Sequence, residues 1–347
     1  MAENTSYFMN AQAATGFGTT SPGDEKAHRA ANAAVDSPAA VETVFVGFNV
    51  PEADIHSLDY LWLHPNLKLM SGGVWCWQGM KPRQLESEIF DMRDFTPDTP
   101  LQAGGDLDDI TLPGGYRHQV ITPLEKVRIT YADEARGNAF DVTLTAVMPP
   151  AMLPSNKHFD QAMKTEGMLL LRGKPYAVDG LTIRDRSWGE ARTEDPVAMP
   201  PIHWLAMCFD ENFVIHVTGL EEVDTAPWRD VFAADPAFPA GFNRGWVWRD
   251  GTLKTLAAAT VETFWDGLRQ SGHRVRVTDS DGREYVIDGE IRAASTWHTW
   301  SNVHMSIALA RWTCEGRVGH GDSQIAMWTD FVRAAAGHTP AAVTANS

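Results

Sequence analysis

The stretch KVRITYADEARGNAFDVTLTAVMP, residues 126–149, contains two segments in which apolar and polar residues alternate, VRITY and FDVTLTAV. Alternation with a period of two is typical of β-strands that have one buried face. Residues 134–138 separate the two segments and predict a turn, so the whole stretch predicts a β-hairpin. HRVRVTDSDGREYVIDGEIRA, residues 273–293, predicts a second hairpin, because its Asp-Gly pair suits a tight turn.

The same alternation recurs along the rest of the chain. Residues 213–221 alternate after a predicted turn, an Asp-Gly pair at residues 250–251 marks another turn, and two strands are predicted around Glu315 and Gly316. Many short strands at even spacing, with few candidate helices, favour antiparallel barrels or sandwiches over a parallel α/β fold. We therefore predict an all-β protein.

Composition divides the chain of 347 residues into four parts. Residues 1–40 are rich in Ala, Gly, Ser and Thr, and predict a flexible arm with one short helix at residues 24–35. EDPVAMPP, residues 194–201, predicts the main domain boundary, because Pro clusters interrupt regular structure. We therefore expect two consecutive antiparallel β-barrel domains, at residues 41–195 and 196–333, followed by a flexible tail at residues 334–347.

Charge and cysteine content exclude several classes of partner. The formal net charge is −16, which disfavours nucleic acid, since a polyanion is bound by clustered Lys and Arg. No run of apolar residues has the length of a membrane span, and the first residues do not resemble a signal peptide. Three widely separated cysteines, Cys76, Cys208 and Cys314, indicate reduced thiols and a cytoplasmic protein.

Familiar catalytic motifs are missing from the sequence. It contains no Gly-rich phosphate loop, no GxSxG nucleophile elbow and no HExxH zinc motif, so nucleotide, serine-hydrolase and zinc-protease chemistry have no support. The unusual feature is a count of thirteen tryptophans. They predict either aromatic walls around a cavity or large Trp-rich cores.

The densest polar cluster is GLTIRDRSWGEAR, residues 180–192. If this segment is extended, Arg184, Arg186 and Trp188 share one face, whereas Asp185 lies on the other. A carboxylate flanked by guanidiniums would have a lowered pKa and would orient a substrate instead of donating a proton. The alternative is an Arg–Asp network that holds two domains together.

Further candidates are scattered over the chain. His158, Asp160, Gln161 and Glu166 are predicted near a pocket mouth, and the second half adds His203, Trp204, Trp297, His298, Trp300 and His304. If one unbroken strand held both residues, His298 and His304 would lie on the same face of it. A metal site there would need a third ligand such as His216, and because the spacing has no specificity we predict none.

The polar cluster also carries a family resemblance. Residues 180–192, with HFDQAMKTEGMLLLRGKPYAVDG (residues 158–180) before them, resemble the segment ending in Arg-Asp-His-Ser-Trp-Gly of the carotenoid 1,2-hydratase and AttH-like family. CEGRVGHGDSQ, residues 314–324, is similar to the last strand pair of that family. The resemblance implies two lipocalin-like barrels and, for the hydratases, addition of water to an isolated C=C bond of a long isoprenoid without a cofactor.

One position departs from the family pattern. Arg186 stands where many relatives have His. A His there could act as acid or base near neutral pH, whereas Arg stays protonated. Any such role would therefore move to Asp185 or to a histidine of the second domain.

Two function classes follow. The first is a cofactor-independent hydratase, dehydratase or isomerase that acts on an apolar terpenoid, steroid-like or aromatic molecule. Its predicted acid–base groups are Asp185, His203, His298 and His304. Asp185 is the predicted acid if its neighbouring arginines point elsewhere, and a histidine is the acid if they contact it. The predicted substrate contacts are Trp188, Trp204, Trp297, Trp300, Arg184, Arg186, His158 and Glu166. The second class is a carrier of an apolar ligand, which would lack a buried titratable group beside the ligand. A purely structural interaction domain is a third possibility.

Overall fold

A computed structural model describes residues 16–192, 201–221, 241–298, 303–329 and 332–333. Helices in these ranges are short, and the described residues form nineteen strands. The first eleven are β1 (Ala40–Val50), β2 (Ile55–His64), β3 (Leu69–Gln78), β4 (Ile89–Pro97), β5 (Asp109–Thr111), β6 (Arg117–Thr122), β7 (Lys126–Asp133), β8 (Asn138–Ala146), β9 (Ala151–Met152), β10 (His158–Leu171) and β11 (Lys174–Ala191). The other eight are β12 (Ile202–Asp210), β13 (Phe213–Leu220), β14 (Gly241–Arg249), β15 (Thr252–Asp266), β16 (Arg269–Asp279), β17 (Glu284–His298), β18 (Val303–Cys314) and β19 (Arg317–Trp328).

The first eleven strands form one open, curled antiparallel sheet. Its order is β4-β3-β2-β1-β11-β10-β8-β7-β6-β5, with β9 paired to β10. The long strands β10 and β11 pair from His158 opposite Ser187 to Leu171 opposite Lys174, and they form the middle of the sheet. Its concave side holds an apolar core to which β1, β2, β7 and β8 contribute.

Strands β12 to β19 form a closed barrel. Each strand pairs with the next, and β12 pairs with β19 to close the ring, so the barrel has no free edge. The interior is filled by apolar side chains, among them Leu205, Phe213 and Trp312. The prediction of an all-β protein with two consecutive lipocalin-like units is confirmed, and the first unit takes the form of an open half-barrel.

The predicted hairpins are confirmed in place. Strands β7 and β8 flank a turn at residues 134–137, where Gly137 has the positive φ of 67° that the turn requires. Strands β16 and β17 flank the Asp-Gly turn, and Gly282 has a φ of 85°. The sheets change between Ala191 and Ile202, and the predicted boundary at residue 195 lies outside the described residues, as do the tail at 334–347 and residues 1–15.

The described part of the N-terminal region is packed against the first sheet, and this corrects the expectation of a flexible arm. A 3₁₀ helix covers Pro22–Glu25 and an α-helix covers Arg29–Ala33, in place of one helix at 24–35. Glu25 and Asn32 are buried. The Asn32 side chain donates to Glu42 and accepts from the backbone N–H of Gly189, so it joins three segments.

The half-barrel and the barrel pack through an aromatic layer. Trp297 of β17 lies 5.2 Å from Trp62 and 6.0 Å from Trp75, measured between ring centroids, and all three are buried. The backbone also crosses the boundary, where the N–H of Lys81 donates to the carbonyl of Ala294 over 2.7 Å. None of the helices in the described ranges has the length and apolar character that a membrane span requires.

Candidate active site

The alternation of β11 separates the polar cluster into two faces, as predicted. Asp185 lies opposite Phe45 of β1 and opposite Asp160 of β10. Its face of β11 is turned toward the barrel, because Asp185 interacts electrostatically with Arg244 of β14. Arg184, on the opposite face, points into the half-barrel.

A second carboxyl group, Asp160, is held by groups from both sheets. Its Oδ1 lies 3.1 Å from Nε2 of His158 on β10, and its Oδ2 lies 3.6 Å from Nε2 of His216 on β13. The Arg244 guanidinium lies 3.0 Å from His158. His216 is oriented by its Nδ1–H, which donates to the carbonyl of Leu205 over 3.0 Å. The barrel therefore completes a polar site that begins on the half-barrel.

The two carboxyl groups have opposite electrostatic environments. Burial and the nearby Asp160 charge raise the pKa of Asp185 to about 7, against the opposing effect of Arg192 and Arg244. Burial also acts to raise the pKa of Asp160, but His216, His158 and Arg244 outweigh it and hold that pKa well below its usual range. Near neutral pH one carboxyl is thus substantially protonated beside one that is ionised, a pattern typical of acid–base sites.

Burial likewise controls the histidines of the site. It lowers the pKa of His158 to about 4, with a further lowering by Arg244, and it lowers the pKa of His216. Both imidazoles are therefore poor proton donors at neutral pH. Asp185 is the group whose pKa matches proton transfer there.

Aromatic rings surround the two carboxyls. Ring centroids of Phe45 lie 5.5 Å from Tyr60 and 5.3 Å from Trp204, and those of His216 lie 4.8 Å from Trp204 and 5.6 Å from Trp246. Asp185 keeps 9% of its surface accessible. No described residue donates a hydrogen bond to its carboxyl group.

The other face of β11 has a structural role. Arg184 binds Glu25 through two contacts of 2.7 and 3.0 Å, and Arg186 binds Glu42 over 2.7 Å and the Glu25 carbonyl over 2.8 Å. Trp188 stacks on His28, with ring centroids 3.7 Å apart. These contacts hold the N-terminal segment, so the structure does not support the predicted substrate contacts of Arg184, Arg186 and Trp188. The alternative role of the arginines as anchors is closer to what the structure shows, with the N-terminal segment in place of the second domain.

Three of the four predicted acid–base residues lie away from Asp185. His203 is buried in the barrel interior, with Nε2 3.2 Å from Glu221. His298 and His304 face each other from the paired strands β17 and β18, so the condition that one unbroken strand holds both histidines is not met. The chain leaves β17 at His298 and enters β18 only at Val303.

The remaining predicted contacts are divided between several places. His158 and Trp204 are in the site, whereas Trp297 belongs to the aromatic layer between the sheets. Glu166 is exposed and lines a separate open cleft of about 430 Å³ with Lys164 and Glu211. Trp300 lies outside the described residues.

Two residues of the site, Tyr60 and Arg244, carry no signal in the sequence, whereas Arg192 is the last residue of the polar cluster at 180–192. Tyr60, Arg192 and Arg244 all interact electrostatically with Asp185, and they come from β2, the residue after β11, and β14. Only the pairing of strands and the docking of the sheets brings them together. Within the described ranges, no group of three or more His, Cys, Asp or Glu residues is arranged to hold a metal ion.

Comparison with known protein families assigns the chain to one family. Residues 21–329 match the model of the family described as a domain of unknown function, DUF7064. The chain belongs to the DUF7064 family. The match covers both sheets and begins just before the buried Glu25, so this DUF7064 protein includes its N-terminal segment in the family domain. No curated protein matches it by sequence.

Solved structures with the same fold include members of the group predicted from the sequence. A protein assigned as AttH from Nitrosomonas europaea matches with a TM-score of 0.53 and 12% identity, covering 91% of this chain and 98% of its own. CghA matches with a TM-score of 0.52 and 12% identity, covering 84% and 88%. Kievitone hydratase from Nectria haematococca has a TM-score of 0.48 at 10% identity, covering 92% and 98%. The predicted resemblance to the AttH-like group is confirmed for the fold.

Proposed function

We propose that this DUF7064 protein is an enzyme of the hydratase, dehydratase or isomerase type, in which Asp185 is the general acid. One observation carries the proposal: a carboxyl group with a pKa near 7 lies among aromatic rings between the two sheets, with no hydrogen-bond donor among the described residues. A general acid is most effective when its pKa is close to the working pH.

The chemistry follows from the position of Asp185. Its carboxyl proton adds to one carbon of a C=C bond, and the neighbouring carbon becomes cationic. The faces of Tyr60 and Trp204 and the Asp160 carboxylate stabilise that cation. Water then bonds to the cationic carbon, and the proton that it releases returns to the Asp185 carboxylate. Dehydration is the same sequence in reverse, and isomerisation ends with loss of a proton from a different carbon.

The aromatic setting supports an apolar small-molecule substrate of the terpenoid, steroid-like or aromatic class. Proton transfer and water addition need no cofactor, so we propose that none takes part.

We also propose that the protein is cytoplasmic. Cys76, Cys208 and Cys314 are all buried free thiols, in keeping with that location.

A carrier of an apolar ligand is the competing function. A carrier needs a cavity wall, but it does not need a buried acid beside the ligand. Burying an ionisable carboxyl without a hydrogen bond is costly, and active sites are where such costs are usually found. Asp185 therefore favours the enzyme.

The experiment is a screen of terpenoid alcohols, steroids and phenolics by thermal shift, followed by mass spectrometry of each stabilising compound in buffer without cofactors. We expect at least one compound to gain or lose one water, or to rearrange at constant mass. In ¹⁸O-labelled water the hydration product should carry the label. Stabilisation without conversion of any compound would establish the carrier instead.

Two variants assign the role of Asp185. Asp185→Asn should abolish conversion while retaining ligand-induced stabilisation, because the amide cannot donate the proton. Asp179→Asn is the matched control, since Asp179 lies on the same strand with an exposed side chain. The wild-type rate should fall above pH 7, as Asp185 loses its proton. Full activity of Asp185→Asn would contradict the proposal.

A further inference from the structure

We propose that Asp160 is a positioning residue that keeps the Asp185 carboxyl group protonated. The Asp160 carboxylate lies opposite Asp185 on the paired strands β10 and β11, and residues of the barrel hold it in place. This inference rests on the proposed role of Asp185 as the acid. Asp160 does not need to touch the substrate. It sets the charge state of the group that does.

The first argument is geometric. Asp160 and Asp185 are directly opposite in the β10–β11 pairing. Side chains in such positions point to the same face of the sheet, with Cβ atoms about 4.5–5.5 Å apart. Both residues are at least nine-tenths buried. Two carboxylates this close in a poorly solvated place cannot both ionise without a large cost, so one of them retains its proton.

The second argument decides which carboxyl is ionised. Asp160 has an imidazole close to each oxygen, His158 at 3.1 Å and His216 at 3.6 Å, with Arg244 bound to His158. No described residue donates a hydrogen bond to Asp185. The two imidazoles are neutral near pH 7, so the positive charge that stabilises ionised Asp160 comes from Arg244, whose guanidinium stays protonated. Asp160 is therefore the ionised carboxyl group, and Asp185 is the protonated one.

The third argument concerns the origin of these partners. Asp160 and Asp185 belong to the half-barrel, whereas His216 and Arg244 belong to the barrel. The unequal environment of the two carboxyls thus exists only when the sheets are docked. The titratable and charged groups that face the pair are Tyr60 from β2, His158 from β10, Arg192 just after β11, His216 from β13 and Arg244 from β14. Arg186, on the other face of β11, also acts on Asp185 through its charge.

The test is a titration of side-chain carboxyl groups by ¹³C NMR in the full chain, with Asp185→Asn used to assign the Asp185 signal. We expect a midpoint near pH 7 in the wild type and a fall of at least one pH unit in Asp160→Asn, a tenfold increase in the acid dissociation constant. Asp160→Glu keeps the charge and should keep the midpoint near 7. An unchanged midpoint in folded Asp160→Asn would overturn the inference and leave the proposed acid intact.

A wild-type midpoint near that of an ordinary Asp would instead overturn the proposed function, so the two failures are distinguishable. Arg244→Gln provides a second variant in case Asp160→Asn does not fold. We expect the Asp160 signal, which is ionised throughout the neutral range in the wild type, to take up part of the shared proton in Arg244→Gln, because this variant lacks the positive charge that stabilises the Asp160 carboxylate. An Asp160 signal that stays fully ionised there would also overturn the inference.

Discussion

Glu25 and Arg184 form a two-point ion pair across 159 residues of sequence, and each side chain is only 1% exposed. Burial acts to raise the pKa of Glu25, but Arg184, then Arg186 and the backbone N–H of Leu124, outweigh it and hold that pKa at about 2. The carboxylate therefore remains charged inside the half-barrel. This pair makes the N-terminal segment part of the core of the first unit.

Replacing Glu25 by Ala should destabilise the protein by about 3–5 kcal/mol, because the Arg184 guanidinium would be left buried without its counter-charge. Urea denaturation followed by tryptophan fluorescence measures the loss. Asp288→Asn is the control, since it breaks an ion pair with Arg274 that is about half exposed, and should cost under about 1 kcal/mol. The double variant Glu25→Leu with Arg184→Met should be more stable than Glu25→Ala. Equal losses for Glu25→Ala and the control would contradict the role of the pair.

The pH dependence of stability should report Asp185. Because its folded pKa of about 7 exceeds its value in the unfolded chain, folding favours the protonated form. The wild type should therefore lose stability relative to Asp185→Asn as pH rises from about 4 to about 7, by up to about 4 kcal/mol. Urea denaturation of both proteins between pH 4.5 and 8.5 measures the difference. A difference that does not change with pH would show that Asp185 titrates normally in the folded protein.

His203 tests whether a buried histidine of the barrel interior takes part in the acid site. His203→Ala should cost about 1–3 kcal/mol, since Glu221 loses its imidazole partner and keeps Trp265. The midpoint of Asp185 should be unchanged, because His203 lies in the barrel interior. Thermal denaturation and the carboxyl titration measure the two effects. His298→Ala, at an exposed position, is the control and should change stability by less than about 0.5 kcal/mol. A shifted titration midpoint of Asp185 in His203→Ala would show that His203 influences the acid site.

Trp297 tests the aromatic layer between the sheets. Trp297→Ala should destabilise the protein by about 3–5 kcal/mol, since it leaves a cavity beside Trp62 and Trp75. Phe264→Ala is the control, because Phe264 is 45% exposed on the barrel and should cost much less. Chemical denaturation compares them. If the two variants lose the same stability, the aromatic layer contributes no special packing between the sheets.

The local pattern of the sequence was sufficient for the class of fold. Period-two alternation with Asp-Gly turns predicts hairpins wherever it occurs, since both signals depend on residues close together in the chain. The same alternation separates Asp185 from Arg184, and the structure confirms that they lie on opposite faces of β11. The low pKa expected for a carboxylate flanked by guanidiniums is not found, because burial and the Asp160 charge outweigh the opposing effect of Arg192, Arg244 and Arg186 on Asp185.

The sequence by itself therefore determined the strands, their turns and the two-sided character of β11, because each depends on neighbours within a few residues. Only the tertiary structure decided what each face meets. It placed Glu25 against Arg184, closed the second sheet into a barrel while leaving the first open, and brought His216 and Arg244 to Asp160. The charge state of Asp185 depends on burial and on groups from strands far apart in the chain. Contacts between distant strands leave no periodic pattern in the sequence, because the local alternation of a strand does not specify which other strand it will meet.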